Sequence, residues 1–251
     1  MILLLLLIII VYLYCCNKEF FKSKYNLTNT NKDKLSIMIL SYNRPHNIKQ
    51  IIEKIHDYDI IDEIIILHGS LQFYKKNNYK KVKDIIDIKN NKLYGAGRRF
   101  LNYNIAKNDI ILFLDDDILP SKELIYEGYT KVKNSNSNTF YGKFKRTCTK
   151  NGYFTSQNEN NNVILTGLSF CKKEIIKKYI NNKNGFTKYK HFLKRYKGNC
   201  EDLAFNLFVL KYYKTQPQYL NENYIDLDYT NGYSSRKYHY KIRKKFCKKY
   251  I

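Results

Sequence analysis

Tryptophan is absent from this chain of 251 residues, proline occurs three times, and acidic side chains are outnumbered: 22 Asp plus Glu face 45 Lys plus Arg, a formal net charge of +23. Such a balance ordinarily points to nucleic acid, an anionic membrane or an acidic substrate. Here Lys, Asn, Ile and Tyr are abundant everywhere while Trp and Pro are rare, a coding bias spread over the surface, so nucleic-acid binding is not the expected main function. The six cysteines, Cys15, Cys16, Cys148, Cys171, Cys200 and Cys247, show no CxxC spacing, which argues against a zinc site and leaves one disulfide among the last four for a lumenal domain. Tyr94-Gly95-Ala96-Gly97 lacks the full spacing of a dinucleotide or P-loop.

Residues 2–16 are an uninterrupted apolar run, about 22 Å long as a helix against a hydrocarbon core of about 30 Å. No basic residue precedes the run and no small-x-small site follows it, so an uncleaved membrane anchor (1–16) is expected in place of a cleaved signal peptide. Lys18, Lys22 and Lys24 follow the run, and the positive-inside rule then favours a cytosol-facing domain. Cys15 and Cys16 stand at the membrane edge as candidates for palmitoylation. Residues 17–34 are polar and aperiodic, a short stem that includes the sequon Asn26-Leu27-Thr28. Residues 35–251 have the length of one α/β domain with one core.

The centre of that domain is Asp109-Ile110-Ile111-Leu112-Phe113-Leu114-Asp115-Asp116-Asp117. Five consecutive apolar residues predict a strand buried on both faces. The three carboxylates must then lie at its carboxyl end, in the crevice where open α/β sheets bind ligands, with cations facing them. Hard oxygen donors suit Mg²⁺ or Mn²⁺, and a metal held by few protein carboxylates is completed by substrate phosphates. This combination points to a nucleotide or nucleotide-sugar.

Other stretches fit around that strand. Leu35–Leu40 reads as a strand, followed by Ser41-Tyr42-Asn43-Arg44-Pro45 and a helical pattern in Ile48, Ile51, Ile52 and Ile55; polar groups and an Arg at such a junction can hold a base, ribose or phosphate. Ile60–Leu67, Val82–Ile88 and Val163–Phe170 read as further strands, predicting a mostly parallel sheet flanked by helices. Arg98 and Arg99 on a helix before the Asp-rich strand can carry a guanidinium into the crevice. Pro120 is expected to start a helix running to Val132, and Thr139–Arg146 and Gly152–Asn162 to be irregular loops. Glu201 and Asp202 fall in the first turn of a helix, where Asp202 is a candidate second carboxylate for glycosyl transfer. His239 and Arg243, four apart, share one helical face and can both reach a diphosphate.

In order, Ser41-Tyr42-Asn43-Arg44, Leu114-Asp115-Asp116-Asp117, Val163-Ile164-Leu165-Thr166-Gly167, Asn199-Cys200-Glu201-Asp202-Leu203-Ala204-Phe205-Asn206, and Gly232-Tyr233-Ser234 with His239, Arg243 and Cys247 resemble the exostosin-like glycosyltransferases, family 64, from residue 35 almost to the end. The resemblance implies a GT-A fold and a retaining, Mn²⁺-dependent (or Mg²⁺-dependent) transferase moving an N-acetylhexosamine from a UDP-sugar to a glycan, glycolipid or protein acceptor. It implies Asn43, Arg44, Arg99 and His239 on the nucleotide and diphosphate, Asp115 and Asp116 on the ribose and sugar side, Asp117 on the metal, and Asp202 with Arg243 at the reaction centre. It also implies a Cys200–Cys247 disulfide and an ER or Golgi lumenal setting. The chain departs from the family pattern at His68-Gly69-Ser70, at Tyr94–Gly97 and in the register of the tail cysteine. Two alternatives stay open: an inverting family-2-type transferase with Asp202 as general base, and a non-catalytic, basic, polyanion-binding membrane protein.

Overall fold

The computed structural model describes residues 5–15, 34–72, 76–136, 138–156, 161–227 and 236–251. Contacts divide the chain into Met1–Asp33 and Lys34–Ile251. In the first unit, residues 5–15 form helix α1 with exposed side chains. Among the described residues no helix is long and apolar enough to cross a membrane. Cys16, the sequon at Asn26, the stem up to Asp33 and the Gly232-Tyr233-Ser234 segment lie outside the described residues.

In the second unit the apolar runs become the centre of a seven-stranded sheet. β1 (Leu35–Ser41) is buried along its whole length, with β2 (Ile61–His68) and β3 (Val82–Ile86) on one side and β4 (Ile110–Asp115) on the other, all parallel. Two-sided burial is what continuous Ile and Leu strands require. Register sets Leu40 beside Asp115 and Ser41 beside His68, so the carboxyl ends of β1, β2 and β4 converge. α2 (Pro45–Ile55) returns between β1 and β2, burying Ile48, Ile51, Ile52 and Ile55, with Pro45 in its first turn.

Beyond β4 the sequence expectation needs correction. β5 (Ile118–Pro120) is a strand, pairing Pro120 with Tyr224 of β12 (Tyr224–Asp226), and α5 (Lys122–Asn134) starts only after it. Proline fits the edge of a two-stranded sheet, and Ser121 caps the helix by accepting from Leu124 N at 3.1 Å. The stretches expected as loops contain β6 (Tyr141–Gly142), the start of β7 (Lys145–Thr149) and β8 (Gly152–Phe154), whose short polar sequences carry little apolar periodicity. The run at 163–170 is two strands. β9 (Val163–Ile164) pairs with β7, and β10 (Leu168–Lys172) runs antiparallel to β4, extending the large sheet through β6 to β11 (Gln218–Tyr219). The break falls at Thr166-Gly167, where any Cβ on Gly167 would collide with the Asp115 carboxylate.

The remaining helices are α3 (Ile88–Tyr94), the short α4 (Arg98–Leu101), α6 (Lys173–Asn181), α7 (Phe186–Arg195), α8 (Glu201–Tyr213) and α9 (His239–Tyr250), the last packed on the β7–β8 hairpin. α8 is buried all along its first nine residues. Its Phe205 sits among Phe100, Phe140 and Tyr179 at ring separations of 4.7–5.2 Å. The disulfide joins Cys148 of β7 to Cys247 of α9, and Cys200 is a buried free thiol. The expected Cys200–Cys247 pairing is thereby replaced: β7 delivers Cys148 directly against α9, with Cα atoms 5.4 Å apart.

Candidate active site

The carboxyl ends of β1 and β4 open into a cleft of about 610 Å³, in the range that holds small ligands. Tyr42, Asn43, Arg44, Asp115, Asp116 and Asp117 line it, with Lys92, Lys197 and Arg236. Asp116 is buried; it accepts from Arg44 Nη1 at 2.5 Å and from the Tyr42 backbone N–H at 3.3 Å. Burial pushes its pKa up, against the pull of Arg44. Arg44 Nη1 also lies 3.3 Å from Asp117 Oδ2. Asp115 is ion-paired with Arg99, whose guanidinium also donates to the Thr166 carbonyl.

Asp117 is the carboxylate least neutralised by this arrangement. Burial and then the Asp115 charge push it up to about 7. Three carboxylates against two directly paired arginines form a site that favours a further cation, and their oxygens are the hard donors that Mg²⁺ or Mn²⁺ takes. Among the described residues no group of three or more His, Cys, Asp or Glu is arranged to hold a metal alone. A metal here would have Asp117 as its protein ligand and need oxygens from elsewhere.

Arg98 and Arg99 are both buried, and they point to different tasks. Arg98 Nη2 donates to the Ser41 and Leu67 carbonyls at 3.0 Å each, and Nη1 bonds the Asn91 side chain, so Arg98 ties the ends of β1 and β2 together. Burial lowers its pKa to about 10. Arg99, 1% exposed, acts on the cleft through Asp115. The glycines before them serve packing. Gly95 (φ +47) and Gly198 (φ +83) interlock two backbones, because a Cβ on Gly95 would strike the Lys197 carbonyl and one on Gly198 the Tyr94 carbonyl.

That interlock seats α4 against the start of α8, where a second cluster forms. Asp202 Oδ2 accepts from Arg243 Nη2 at 2.6 Å, and Oδ1 accepts from the Leu203 backbone N–H at 2.7 Å. Arg243 is buried, which alone would lower its pKa, yet Asp202 carries it above the ordinary arginine value. Its guanidinium carbon stands 4.4 Å from the centroid of the Tyr153 ring. His239, one turn earlier on α9, is held down to about 4 by burial and by Arg243, so it is neutral at pH 7. Its carbonyl accepts from Asn199 Nδ2 at 3.2 Å. Glu201 links the two clusters: its Oε1 accepts from Thr166 Oγ1 at 3.4 Å, and burial followed by the Asp202 charge pushes it up to about 8.

The structure thus brings Asn43, Arg44, Asp115, Asp116 and Asp117 to one cleft and joins Asp202, Arg243 and His239 in a neighbouring cluster bridged by Glu201 and Thr166. Sequence reading missed Lys92, Lys197 and Arg236 on the cleft wall and Tyr153 beside Arg243. Lys197-Gly198 carries a turn signal that could have marked Lys197; Tyr153 carries none among the 25 tyrosines. No curated protein matches the chain. The glycosyl transferase family 64 domain matches residues 35–251, and it covers both clusters. A mixed α/β sheet with an acid-tipped central strand agrees with a GT-A-like fold, and the chain belongs to glycosyl transferase family 64.

Proposed function

We propose that the protein is an exostosin-like, retaining glycosyltransferase that moves a sugar, an N-acetylhexosamine, from a UDP-sugar to a hydroxyl of a glycan, glycolipid or protein acceptor, with Mn²⁺ (or Mg²⁺) as cofactor. The observation that carries this reading is the acid-tipped β4 at a cleft with Arg44, next to a buried Asp202–Arg243 pair. Asn43 and Arg44 hold the nucleotide, with Asp115 and Asp116 towards the ribose and sugar. Arg99 orients Asp115 from beneath. Asp117 ligates the metal, which when bound neutralises the donor's diphosphate and the charge that develops there as the glycosidic bond breaks.

On the protein side, Arg243 and the neutral imidazole of His239 serve the departing UDP, an electrostatic stabilisation of a developing anion. Asp202 faces the oxocarbenium-like centre as a fixed negative charge. Its two oxygens are committed to Arg243 and to the Leu203 N–H. That arrangement favours the charge-stabilising role over the general-base role of an inverting enzyme, because a proton taken by Asp202 would break its buried ion pair with Arg243.

The apolar run at residues 2–16 supports a membrane anchor, and the Cys148–Cys247 disulfide supports a domain facing the oxidising ER or Golgi lumen over one facing the cytosol. Incubating the full chain with UDP-N-acetylglucosamine or UDP-N-acetylgalactosamine and Mn²⁺ tests the reading. UDP release and an α-configured product sugar support it. Product with inverted configuration assigns Asp202 to base catalysis, and binding of polyanions with no UDP release from any donor rejects the enzyme reading.

A further inference from the structure

A buried guanidinium held by one carboxylate can still turn about its long side chain, so the placement of Arg243 requires a second contact. Tyr153 supplies it. The 4.4 Å approach of the guanidinium carbon to the ring centroid is well within the range of a cation–π contact, which strengthens where water is excluded. Tyr153 lies on β8 directly opposite Cys148 of β7. Cys148 is bonded to Cys247, and Cys247 follows Arg243 by one turn on α9. A single rung of the β7–β8 hairpin therefore grips α9 twice, covalently at one turn and through an aromatic face at the turn before.

Gly152 stands at the start of β8 where this rung meets α9. Its φ is +140, a conformation that side-chain-bearing residues rarely adopt, and a Cβ there would also crowd the Lys244 side chain of α9 at 3.0–3.4 Å. Tyr153 also lies near Asp202 and Arg146, but the arginine under its ring is Arg243, and the Tyr153 hydroxyl makes a side-chain hydrogen bond with the same residue.

We propose that Tyr153 is a positioning residue that holds Arg243 on Asp202, and that the Cys148–Cys247 bond fixes the rung from which it acts. The effect on turnover rests on the transferase reading above; the effect on Arg243 itself does not. Ring face and hydroxyl both meet Arg243, so phenylalanine should keep the ring's part of the hold and leucine should lose both.

The test compares Tyr153→Phe, Tyr153→Leu and Tyr153→Met in the full chain by two readouts. In side-chain ¹⁵N–¹H spectra, with the Arg243 signal assigned from Arg243→Lys, the Nε–H of Arg243 should exchange slowly with water in the wild type and only modestly faster in Tyr153→Phe, which loses the hydroxyl contact and keeps the ring. In Tyr153→Leu and Tyr153→Met exchange should quicken by about 10-fold or more, the scale of a desolvated cation–π contact. Hydrolysis of UDP-N-acetylglucosamine or UDP-N-acetylgalactosamine with Mn²⁺ should lose about 10- to 30-fold in kcat in the two aliphatic variants, with KM nearly unchanged and Tyr153→Phe between them and wild type. Should both aliphatic variants fail to fold, Cys148→Ser must quicken Arg243 exchange in their place. Unchanged exchange in folded aliphatic variants, or in Cys148→Ser in their place, overturns the proposal, as does a Tyr153→Phe as impaired as Tyr153→Leu. A wild type without hydrolysis rejects the transferase reading and leaves the exchange result to decide the role of Tyr153.

Discussion

Arg243 Nη2 meets Asp202 Oδ2 at 2.6 Å with both side chains about 5% exposed or less, one from the C-terminal helix and one from the first turn of α8. Breaking this pair from one side strands the other charge in the interior. Arg243→Ala should cost about 3–5 kcal/mol of stability, and Arg243→Lys should recover only part of it, since an ammonium lacks the planar fork. Urea denaturation of the two variants measures both effects; equal stability of Arg243→Ala and wild type would contradict the buried pair.

Glu201 gives a pH signature. Its folded pKa, about 8, lies above the ordinary glutamate value of 4.5, so the folded state binds this proton more tightly than the unfolded one. The contribution is complete below about pH 4.5 and is lost as pH rises towards 8. Glu201→Gln keeps the contact with Thr166 and removes the titration. The Tm difference between Glu201→Gln and wild type should therefore grow in the variant's favour from pH 5 to pH 8. Parallel Tm curves would show that Glu201 does not titrate in that window.

The disulfide closes a loop spanning 99 residues, so its loss should cost roughly 2–5 kcal/mol. Cys148→Ser and Cys247→Ser should be equally destabilised, and the double variant no worse than either. Cys200→Ser should keep the bond, which peptide mapping under non-reducing conditions reads directly. A Cys200–Cys247 linked peptide would reverse the assignment.

Backbone interlock predicts a contrast between two glycines. Gly198→Ala combines a positive φ with a clash against the Tyr94 carbonyl, and should destabilise by more than the strain of about 1–3 kcal/mol alone. Gly97→Ala has no positive φ and its nearest neighbour would be Glu201 Cβ at 3.3 Å, with no backbone atom in the way, so its cost should be smaller. Thermal denaturation compares them; equal Tm values would remove the interlock as the support of α4 against α8.

Legibility in the sequence followed the physics of each segment. β1, β2 and β4 announced themselves because a strand buried on both faces must be apolar throughout, and the carboxylates ending β4 could only lie at the sheet's rim. The break between β9 and β10 was hidden because apolar residues stand close on both sides of it, and only Thr166-Gly167 marks the turn. β6 to β8 were hidden for the opposite reason: short polar strands carry too few residues for a period. Asp117 and Asp202 were legible as candidate carboxylates, whereas Tyr153 matters through a contact between segments 90 residues apart in number, which no local pattern encodes.

Thermal stabilisation of the full chain by nucleoside diphosphates, with and without Mn²⁺, tests the donor site at the tip of β4 most directly. UDP should raise Tm only when Mn²⁺ is present, and Asp117→Ala should abolish the rise while leaving the unliganded protein folded. A rise with GDP in place of UDP would keep the site and change the donor. No rise with any nucleoside diphosphate, or an undiminished rise in Asp117→Ala, would contradict the assignment of this cleft to a metal-bound nucleotide-sugar.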